Sequence, residues 1–172
     1  TQDHLDYHNT FAEYRDVKKS FFDALPKTAF ALTNKDDKNG MKILEGTKAK
    51  KQTYYLKSVS DYKCRVLENQ FEGMLLNINK VDVWVKLIGD FNAYNMLSVY
   101  AVANLFGFKD YQVLTALSML IPVEGRFQYL QSEEKITAIV DYAHTDDALK
   151  NVIATINSIR ANTEELITVL GC

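Results

Sequence analysis

The feature that most constrains the fold is a strict alternation of apolar and polar residues across residues 80–87. The apolar positions of this run are Val81, Val83, Val85 and Leu87. Because successive side chains of a β-strand point to opposite faces, the alternation predicts a strand with one buried face. Residues 71–78 precede it across Asn79, which predicts a hairpin, and residues 53–56 and 62–67 predict further strands. We therefore expect a small antiparallel sheet in the middle of the chain.

Helical patterns lie on both sides of these strands. Thr10 and Glu13 form a capping-box pattern, and apolar residues accompany it at helical spacing: Phe11, Tyr14, Val17, Phe21 and Phe22. Residues 29–34 predict a buried strand, with a short helix after it. A longer helix begins within residues 89–95, and a second one is predicted over residues 111–120.

Pro122 and Gly125 mark a predicted domain boundary, because these residue types interrupt regular structure. Beyond the boundary, residues 136–140 predict a strand, residues 149–156 a helix and residues 166–170 another strand. A strand, a helix and a strand in this order predict a right-handed parallel unit. The sequence therefore predicts an α/β chain with a second domain after the boundary.

Composition excludes several classes of protein. The 172 residues are 47% hydrophobic and carry a formal net charge of −2, which gives no electrostatic reason to expect nucleic acid or an anionic membrane as a partner. No apolar run approaches the ~20 residues that span a bilayer. The two cysteines lie far apart in the sequence, so we expect a reduced, cytoplasmic protein. We also expect a monomer.

Residues 3–8 and Lys18 form the first candidate site. Two of the three histidines lie in this run together with two aspartates. Lys18 lies one turn after Tyr14 and one turn before Phe22, which predicts a buried amine. A buried ammonium tends to lose its proton, and a neutral amine can take up carbon dioxide to form a carbamate, an oxygen ligand for magnesium. The alternatives are a lysine that snorkels to solvent and a solvated, capped loop.

Asn92 and Asn95 form the second candidate site. They are three residues apart, so both can face one side of the first turn of a helix. A carboxamide offers a donor and an acceptor side by side, which matches the N6 and N7 edge of adenine. Plain N-capping of the helix by Asn92 is the alternative.

Three residues near and beyond the boundary form the third candidate site. Asp141 and His144 follow the predicted strand of residues 136–140, so they lie at its carboxyl end, where open α/β sheets bind ligands. An aspartate there can bond a ribose hydroxyl or a metal-bound water, and a capping loop is the alternative. Arg126 lies at the boundary itself, where an ordinary surface charge is the alternative.

These stretches resemble the Mur ligase family. Residues 1–8, followed by Tyr14 and Lys18, resemble the family's run Ser/Thr-x-Asp-His-Leu-Asp-Tyr-His and the lysine that follows it. The family pattern Gly-x-Phe-Asn-x-Tyr-Asn is matched at residues 89–95, and the run Val-Asp-Tyr-Ala-His-Thr is matched at residues 140–145.

The chain departs from the family pattern at two prolines. Gly125-Arg126 matches a Pro-Gly-Arg stretch of the family, but Glu124 replaces its proline. Asp146 replaces the proline that follows the Asp-Tyr-Ala-His-Thr run. The second change adds a negative charge beside the expected nucleotide site.

The resemblance implies an ATP-dependent ligase that forms an amide bond. Most similar are the ligases that add a third amino acid, diaminopimelate or lysine, to UDP-N-acetylmuramoyl-L-alanyl-D-glutamate (UDP-MurNAc-dipeptide) in peptidoglycan synthesis. Residues 1–123 would then form the C-terminal half of the ATP-binding middle domain, with parallel strands, helices and a small antiparallel sheet. Residues 124–172 would form the first βαβ unit of a Rossmann-like C-terminal domain.

The resemblance also implies which residues bind the cofactors. His4 and a carbamylated Lys18 would hold a Mg²⁺ ion. ATP would be held from both sides of the boundary by Asn92, Asn95, Arg126, Asp141 and His144.

Other classes of protein stay open. An Asp-His-x-Asp run also fits a metal-dependent phosphohydrolase, and the chain could be a non-catalytic nucleotide-binding module. The sequence contains no Gly-x-x-x-x-Gly-Lys-Ser/Thr motif, so it has no phosphate-cradling loop of that kind. We therefore expect a fragment of a ligase that is inactive in isolation, with diaminopimelate and lysine both open as the added amino acid.

Overall fold

The computed structural model describes residues 11–57 and 61–171. The strands of its main sheet are β1 (Phe30–Asn34), β2 (Lys50–Tyr55), β3 (Tyr62–Gln70), β4 (Gly73–Ile78) and β5 (Val81–Val85). They follow one another in that order across the sheet. β1, β2 and β3 run parallel, whereas β3, β4 and β5 pair antiparallel. The strands predicted within residues 62–87 pair antiparallel as expected, and they continue the parallel strands within one mixed sheet. The strand predicted over residues 53–56 is β2, and its expected place in the antiparallel sheet is wrong because it pairs parallel with both of its neighbours.

The predicted helices are also confirmed. The described helices are α1 (Phe11–Asp23), α2 (Gly40–Ile43), α3 (Asp90–Leu105), α4 (Asp110–Ser118) and α5 (Asp146–Ile159). Gly89 is the N-cap of α3 and has φ +92°, a backbone conformation that residues with a Cβ atom rarely adopt. Within the described residues, no helix is both long and apolar enough to cross a membrane.

The core lies between the antiparallel strands and α3. Met74, Leu76 and Ile78 alternate along β4 and are fully buried, as the pleat of a strand with one covered face requires. They pack with residues of the neighbouring strand and helix, including Val83, Val85, Leu97 and Tyr100. This packing fixes α3 against the sheet.

The hairpin between β4 and β5 turns at Asn79 and Lys80. Both residues have positive φ, +47° and +74°. Two consecutive left-handed residues are the geometry of a two-residue hairpin turn whose twist matches its strands, and asparagine tolerates this conformation well. The sequence prediction of a hairpin across Asn79 is therefore confirmed.

A second, two-stranded sheet follows the predicted boundary. β6 (Gln128–Gln131) pairs antiparallel with β7 (Thr137–Val140). The strand predicted over residues 136–140 is confirmed as β7, whereas β6 was missed by the sequence analysis. β6 is half-exposed and carries no clean alternation, so its periodicity is weak.

The strand predicted over residues 166–170 is wrong for the described residues, where this segment forms neither helix nor strand. Its side chains are open to solvent, with Ile167 82% and Val169 90% exposed. A strand needs a neighbour to accept and donate its backbone hydrogen bonds, and within the described part of the chain β7 pairs only with β6. The predicted βαβ unit is therefore present only as its first strand and helix.

Apolar contacts join the two sides of the predicted boundary. Ile88, Phe127 and Ile156 form a buried cluster that takes one residue from before the boundary and two from after it. The rings of Phe71 and Tyr129 stack with centroids 5.7 Å apart. The division at residue 123 remains a prediction, and these contacts connect the two parts that it defines.

Candidate functional site

Lys18 lies on the outer side of α1. Its side chain is exposed, and its Nζ lies 4.4 Å from the centre of the Tyr14 ring. The prediction of a buried amine is therefore wrong within the described residues. Val17 and Phe21, also on α1, are exposed as well, at 57% and 64%.

The packing of α1 explains this exposure. Phe22 and Leu25 pack against the buried cluster formed by Ala31, Leu44 and Ala49. Lys19 faces the same way, donating to the backbone oxygen of Glu45 and pairing with Asp23 at 2.6 Å. Because the covered side of α1 carries Lys19, the neighbouring Lys18 points away from it. His4 and the rest of residues 3–8 lie outside the described residues.

The two candidate asparagines are brought together in the first turn of α3. Asn95 donates from Nδ2 to Oδ1 of Asn92 at 3.3 Å, and Asn92 donates from Nδ2 to the backbone oxygen of Ile88 at 2.8 Å. Asn92 is not the N-cap, which is Gly89, so the capping alternative is wrong. Asn95 is exposed, and its side-chain oxygen Oδ1 has no hydrogen-bond partner among the described residues. That oxygen and the second amino hydrogen form a donor and acceptor pair open to a ligand.

Asp36 was not singled out by the sequence analysis. Its Oδ2 accepts from the backbone N–H groups of Leu56 at 2.8 Å and Lys57 at 3.1 Å, and from the hydroxyl of Tyr94 at 2.8 Å. It therefore ties the ends of β1 and β2 to the first turn of α3. The polar run directly after a buried strand, at residues 34–37, was the signal available in the sequence.

Asp141 holds the loop that follows β7. Its Oδ2 accepts from the backbone N–H of Phe127 at 2.7 Å, and its Oδ1 accepts from the backbone N–H of Ala143 at 2.8 Å. Both oxygens are thus engaged in the structure described. These bonds fit the capping loop that the sequence analysis gave as the alternative to a ligand contact. A contact of Asp141 with ATP stays a prediction.

Arg126 and His144 both contact Tyr142. The guanidinium carbon of Arg126 lies 5.2 Å from the centre of the Tyr142 ring, within the range of a cation–π contact. The His144 ring meets the same tyrosine edge to face at 5.2 Å, and its Nδ1 lies 3.1 Å from the Tyr142 carbonyl oxygen. All three side chains are exposed, so they form a surface group beside Asp141.

A short chain of contacts links the asparagines to Asp141. Asn92 bonds the backbone of Ile88, the Ile88 side chain packs with Phe127, and Phe127 bonds Asp141. The candidate residues on the two sides of the predicted boundary are therefore connected through a shared buried cluster. Lys18 lies on α1, which has no contact with this cluster among the described residues.

Cys64, a buried residue of β3, is not a candidate nucleophile. Burial, with a smaller effect of Asp90, raises the pKa of Cys64 to about 12. A thiol of that pKa stays protonated at neutral pH, and the thiolate is the reactive form. Within the described residues, no group of three or more His, Cys, Asp or Glu side chains could hold a metal ion.

Two family profiles match the chain. The profile of the Mur ligase middle domain matches residues 1–103. The chain belongs to the Mur ligase family. The profile described as the Mur ligase, glutamate ligase domain matches residues 125–172. The resemblance drawn from the sequence motifs is thereby confirmed.

Curated Mur ligases are similar over nearly the whole chain. It is 58% identical over 171 residues to the UDP-N-acetylmuramoyl-L-alanyl-D-glutamate–2,6-diaminopimelate ligase of Phocaeicola vulgatus, an alignment covering 99% of this chain and 35% of that protein. The ligases of the same name from Bacteroides fragilis and Geobacillus kaustophilus are 53% and 34% identical, over 99% and 100% of this chain and 35% and 37% of theirs. The chain spans little more than a third of the length of these relatives.

Solved Mur ligase structures share the fold. A UDP-N-acetylmuramoyl-L-alanyl-D-glutamate–2,6-diaminopimelate ligase superposes with a TM-score of 0.73 at 29% identity, over 94% of this chain and 35% of that one. The MurF structure from Acinetobacter baumannii superposes with a TM-score of 0.81 at 15% identity, over 91% of this chain and 35% of that one. The α/β fold with a mixed sheet is therefore that of the Mur ligase middle domain.

Proposed function

We propose that this Mur ligase chain is part of an ATP-dependent ligase that adds the third amino acid to UDP-MurNAc-dipeptide. The observation that carries the proposal is 58% identity, over 99% of the chain, to a ligase that joins 2,6-diaminopimelate to that substrate. That level of similarity favours diaminopimelate over lysine as the added amino acid. A monomer in the cytoplasm is the expected setting, because ATP and UDP-linked precursors are intracellular metabolites.

ATP is proposed to bind at the first turn of α3. The exposed amide of Asn95 offers the adenine edge one donor and one acceptor, and Asn92 orients that amide by accepting from its Nδ2. Arg126 and His144 are proposed to approach the nucleotide from the other side of the boundary. Their exposure leaves them able to reach a ligand, and Asp141 holds the loop of His144 in place.

The chemistry of Lys18 limits how it can take part in metal binding. An ammonium has no lone pair, and Mg²⁺ prefers oxygen ligands to the nitrogen of a neutral amine, so this residue fits a magnesium site only as a carbamate. Its exposed position over the Tyr14 ring leaves the amine accessible to carbon dioxide. His4 and the carbamate of Lys18 are proposed to hold Mg²⁺, which when bound neutralises phosphate charge and aligns the phosphates for transfer.

The proposed reaction has two steps. An oxygen of the D-glutamyl carboxylate attacks the γ-phosphorus of ATP, forming an acyl phosphate and releasing ADP. The amine of the incoming amino acid then attacks the acyl carbon, giving a tetrahedral intermediate that loses a proton from nitrogen and expels phosphate. The residues of this chain are proposed to bind and orient ATP, and closure about the boundary would assemble the site.

The proposal is tested with the complete protein that carries these residues. UDP-MurNAc-dipeptide, ATP and Mg²⁺ are supplied with either meso-diaminopimelate or L-lysine, and products are identified by mass spectrometry. We expect the diaminopimelate tripeptide with one ADP released per product. Hydrolysis of phosphoesters without ATP would instead identify a phosphohydrolase, and nucleotide binding without any product would identify a non-catalytic module.

A further inference from the structure

The Asp36 carboxylate connects three elements through a single oxygen. It lies two residues after the end of β1, and its own backbone N–H donates to Oδ1 of Asn34 at 2.9 Å, which fixes the turn. Its Oδ2 accepts from the backbone of Leu56 and Lys57, just beyond β2. The third donor to that oxygen is the hydroxyl of Tyr94 on α3.

Tyr94 lies between the two asparagines proposed to read adenine. It is half-buried beside the carboxyl ends of the parallel strands, where open α/β sheets bind their ligands. A hydrogen bond from a hydroxyl to a carboxylate is shorter and stronger than one between neutral groups. Core packing holds the body of α3 against the sheet, and the Asp36–Tyr94 bond adds a direct tie between its first turn and the ends of β1 and β2.

We propose that Asp36 and Tyr94 are a positioning pair that holds Asn92 and Asn95 where the adenine ring binds. This inference rests on the proposed function, since it takes the asparagines as the adenine contacts. Neither Asp36 nor Tyr94 needs to touch ATP. Their effect is exerted through the backbone of the first turn, where a small displacement moves both amide side chains together.

The test compares two Tyr→Phe variants on the same helix in the complete ligase. Tyr94→Phe removes the hydroxyl that bonds Asp36. Tyr100→Phe removes a hydroxyl that accepts from Nδ2 of Asn79 at 3.5 Å and is hydrogen-bonded to Asp110, so it also loses a bond to a carboxylate, away from the first turn of α3. We expect Tyr94→Phe to raise the KM for ATP about fivefold and to lower the preference for ATP over GTP by a similar factor. The kcat and the KM for UDP-MurNAc-dipeptide are expected to stay close to the parent values. Tyr100→Phe is expected to leave the nucleotide preference unchanged.

Two further variants, Asp36→Asn and Asn95→Ala, test the carboxylate partner and the adenine contact separately. Asp36→Asn keeps an oxygen that can accept, so it should shift the nucleotide preference less than Tyr94→Phe. If Asn95→Ala lowers the preference but Tyr94→Phe behaves like Tyr100→Phe, the positioning pair is overturned while the adenine assignment stands. If Asn95→Ala leaves the preference unchanged, the adenine assignment and this inference are both overturned.

Discussion

The carboxylate of Asp141 accepts the backbone N–H of Phe127 at 2.7 Å, across fourteen residues of sequence. Phe127 has φ +46°, an uncommon backbone conformation for a residue with a large side chain. Its ring is almost completely buried against Ile88 and Ile156. Asp141 therefore stabilises a strained residue on which the contact between the two predicted parts of the chain depends.

Replacing Asp141 should destabilise the fold. Asp141→Ala leaves two backbone N–H groups without their acceptor, and we expect the free energy of unfolding to fall by about 1–3 kcal/mol. Urea denaturation of the 172-residue chain, followed by circular dichroism, measures the change. Asp146→Ala is the matched control, because that carboxylate is 80% exposed and its ion-pair partner in the described part of the chain is the exposed Lys150. Its loss, including its place in the first turn of α5, should cost at most about 1 kcal/mol. Equal losses of unfolding free energy in the two variants would contradict the stabilising role assigned to Asp141.

Stability should fall at alkaline pH. Burial raises the pKa of Cys64 from 9.0 to about 12, and burial with a hydrogen bond to Asp110 raises the pKa of Tyr100 from 10.0 to about 12. Above about pH 9 the Cys64 thiol ionises in the unfolded chain while it stays protonated in the folded one. The folded state then binds more protons, so raising the pH lowers the free energy of unfolding. The free energy of unfolding from urea titrations should therefore decline steadily between about pH 9 and about pH 12.

A variant separates the thiol from the tyrosines in that experiment. Cys64→Ala should make the decline with pH shallower, since one of the groups with a raised pKa is gone, even though the cavity lowers stability at every pH. A slope that is the same with and without Cys64 would show that this thiol does not contribute.

Lys18 and Lys19 should differ sharply when each is changed to arginine. An arginine side chain does not form a stable carbamate, so Lys18→Arg should abolish ligase turnover while the protein stays folded. Lys19→Arg keeps the positive charge beside Asp23 and should retain most activity, with at most a small loss of stability. Turnover is measured as ADP release and stability as the thermal midpoint. Full activity of Lys18→Arg would exclude the carbamate.

The isolated chain should bind ATP weakly. Its sequence lacks a Gly-x-x-x-x-Gly-Lys-Ser/Thr motif, so backbone N–H groups of that kind are not available to hold the phosphates. Isothermal titration of the 172-residue chain with ATP and Mg²⁺ should give a dissociation constant well above the micromolar range. Sub-micromolar binding would contradict this.

Strands and helices with strong periodicity were predictable from the sequence. The alternation at Val83 and Val85 identified β5, and the apolar pattern of residues 149–156 identified α5. The segment at residues 166–170 was not predictable in this way. Its composition is that of a strand, but pairing depends on a neighbour that the local sequence does not specify.

The candidate site was predictable only in part. The spacing of Asn92 and Asn95 correctly indicated that their side chains meet. Spacing alone did not reveal which side of α1 is covered. Lys19 rather than Lys18 faces the covered side, and its partner there, the backbone oxygen of Glu45, lies far along the chain. Asp36 escaped notice because its donors come from distant parts of the chain, twenty and fifty-eight residues away for Leu56 and Tyr94.

The proposal that this chain belongs to an acyl-phosphate-forming ligase is tested most directly by isotope transfer. UDP-MurNAc-dipeptide carrying oxygen-18 in the reacting D-glutamyl carboxylate is incubated with the complete ligase, ATP, Mg²⁺ and diaminopimelate. Because one carboxylate oxygen becomes the bridging oxygen of the acyl phosphate and leaves with phosphorus, each phosphate released should contain one oxygen-18 atom. Unlabelled phosphate released together with tripeptide would contradict the acyl phosphate, and phosphate released without tripeptide would contradict the ligase assignment itself.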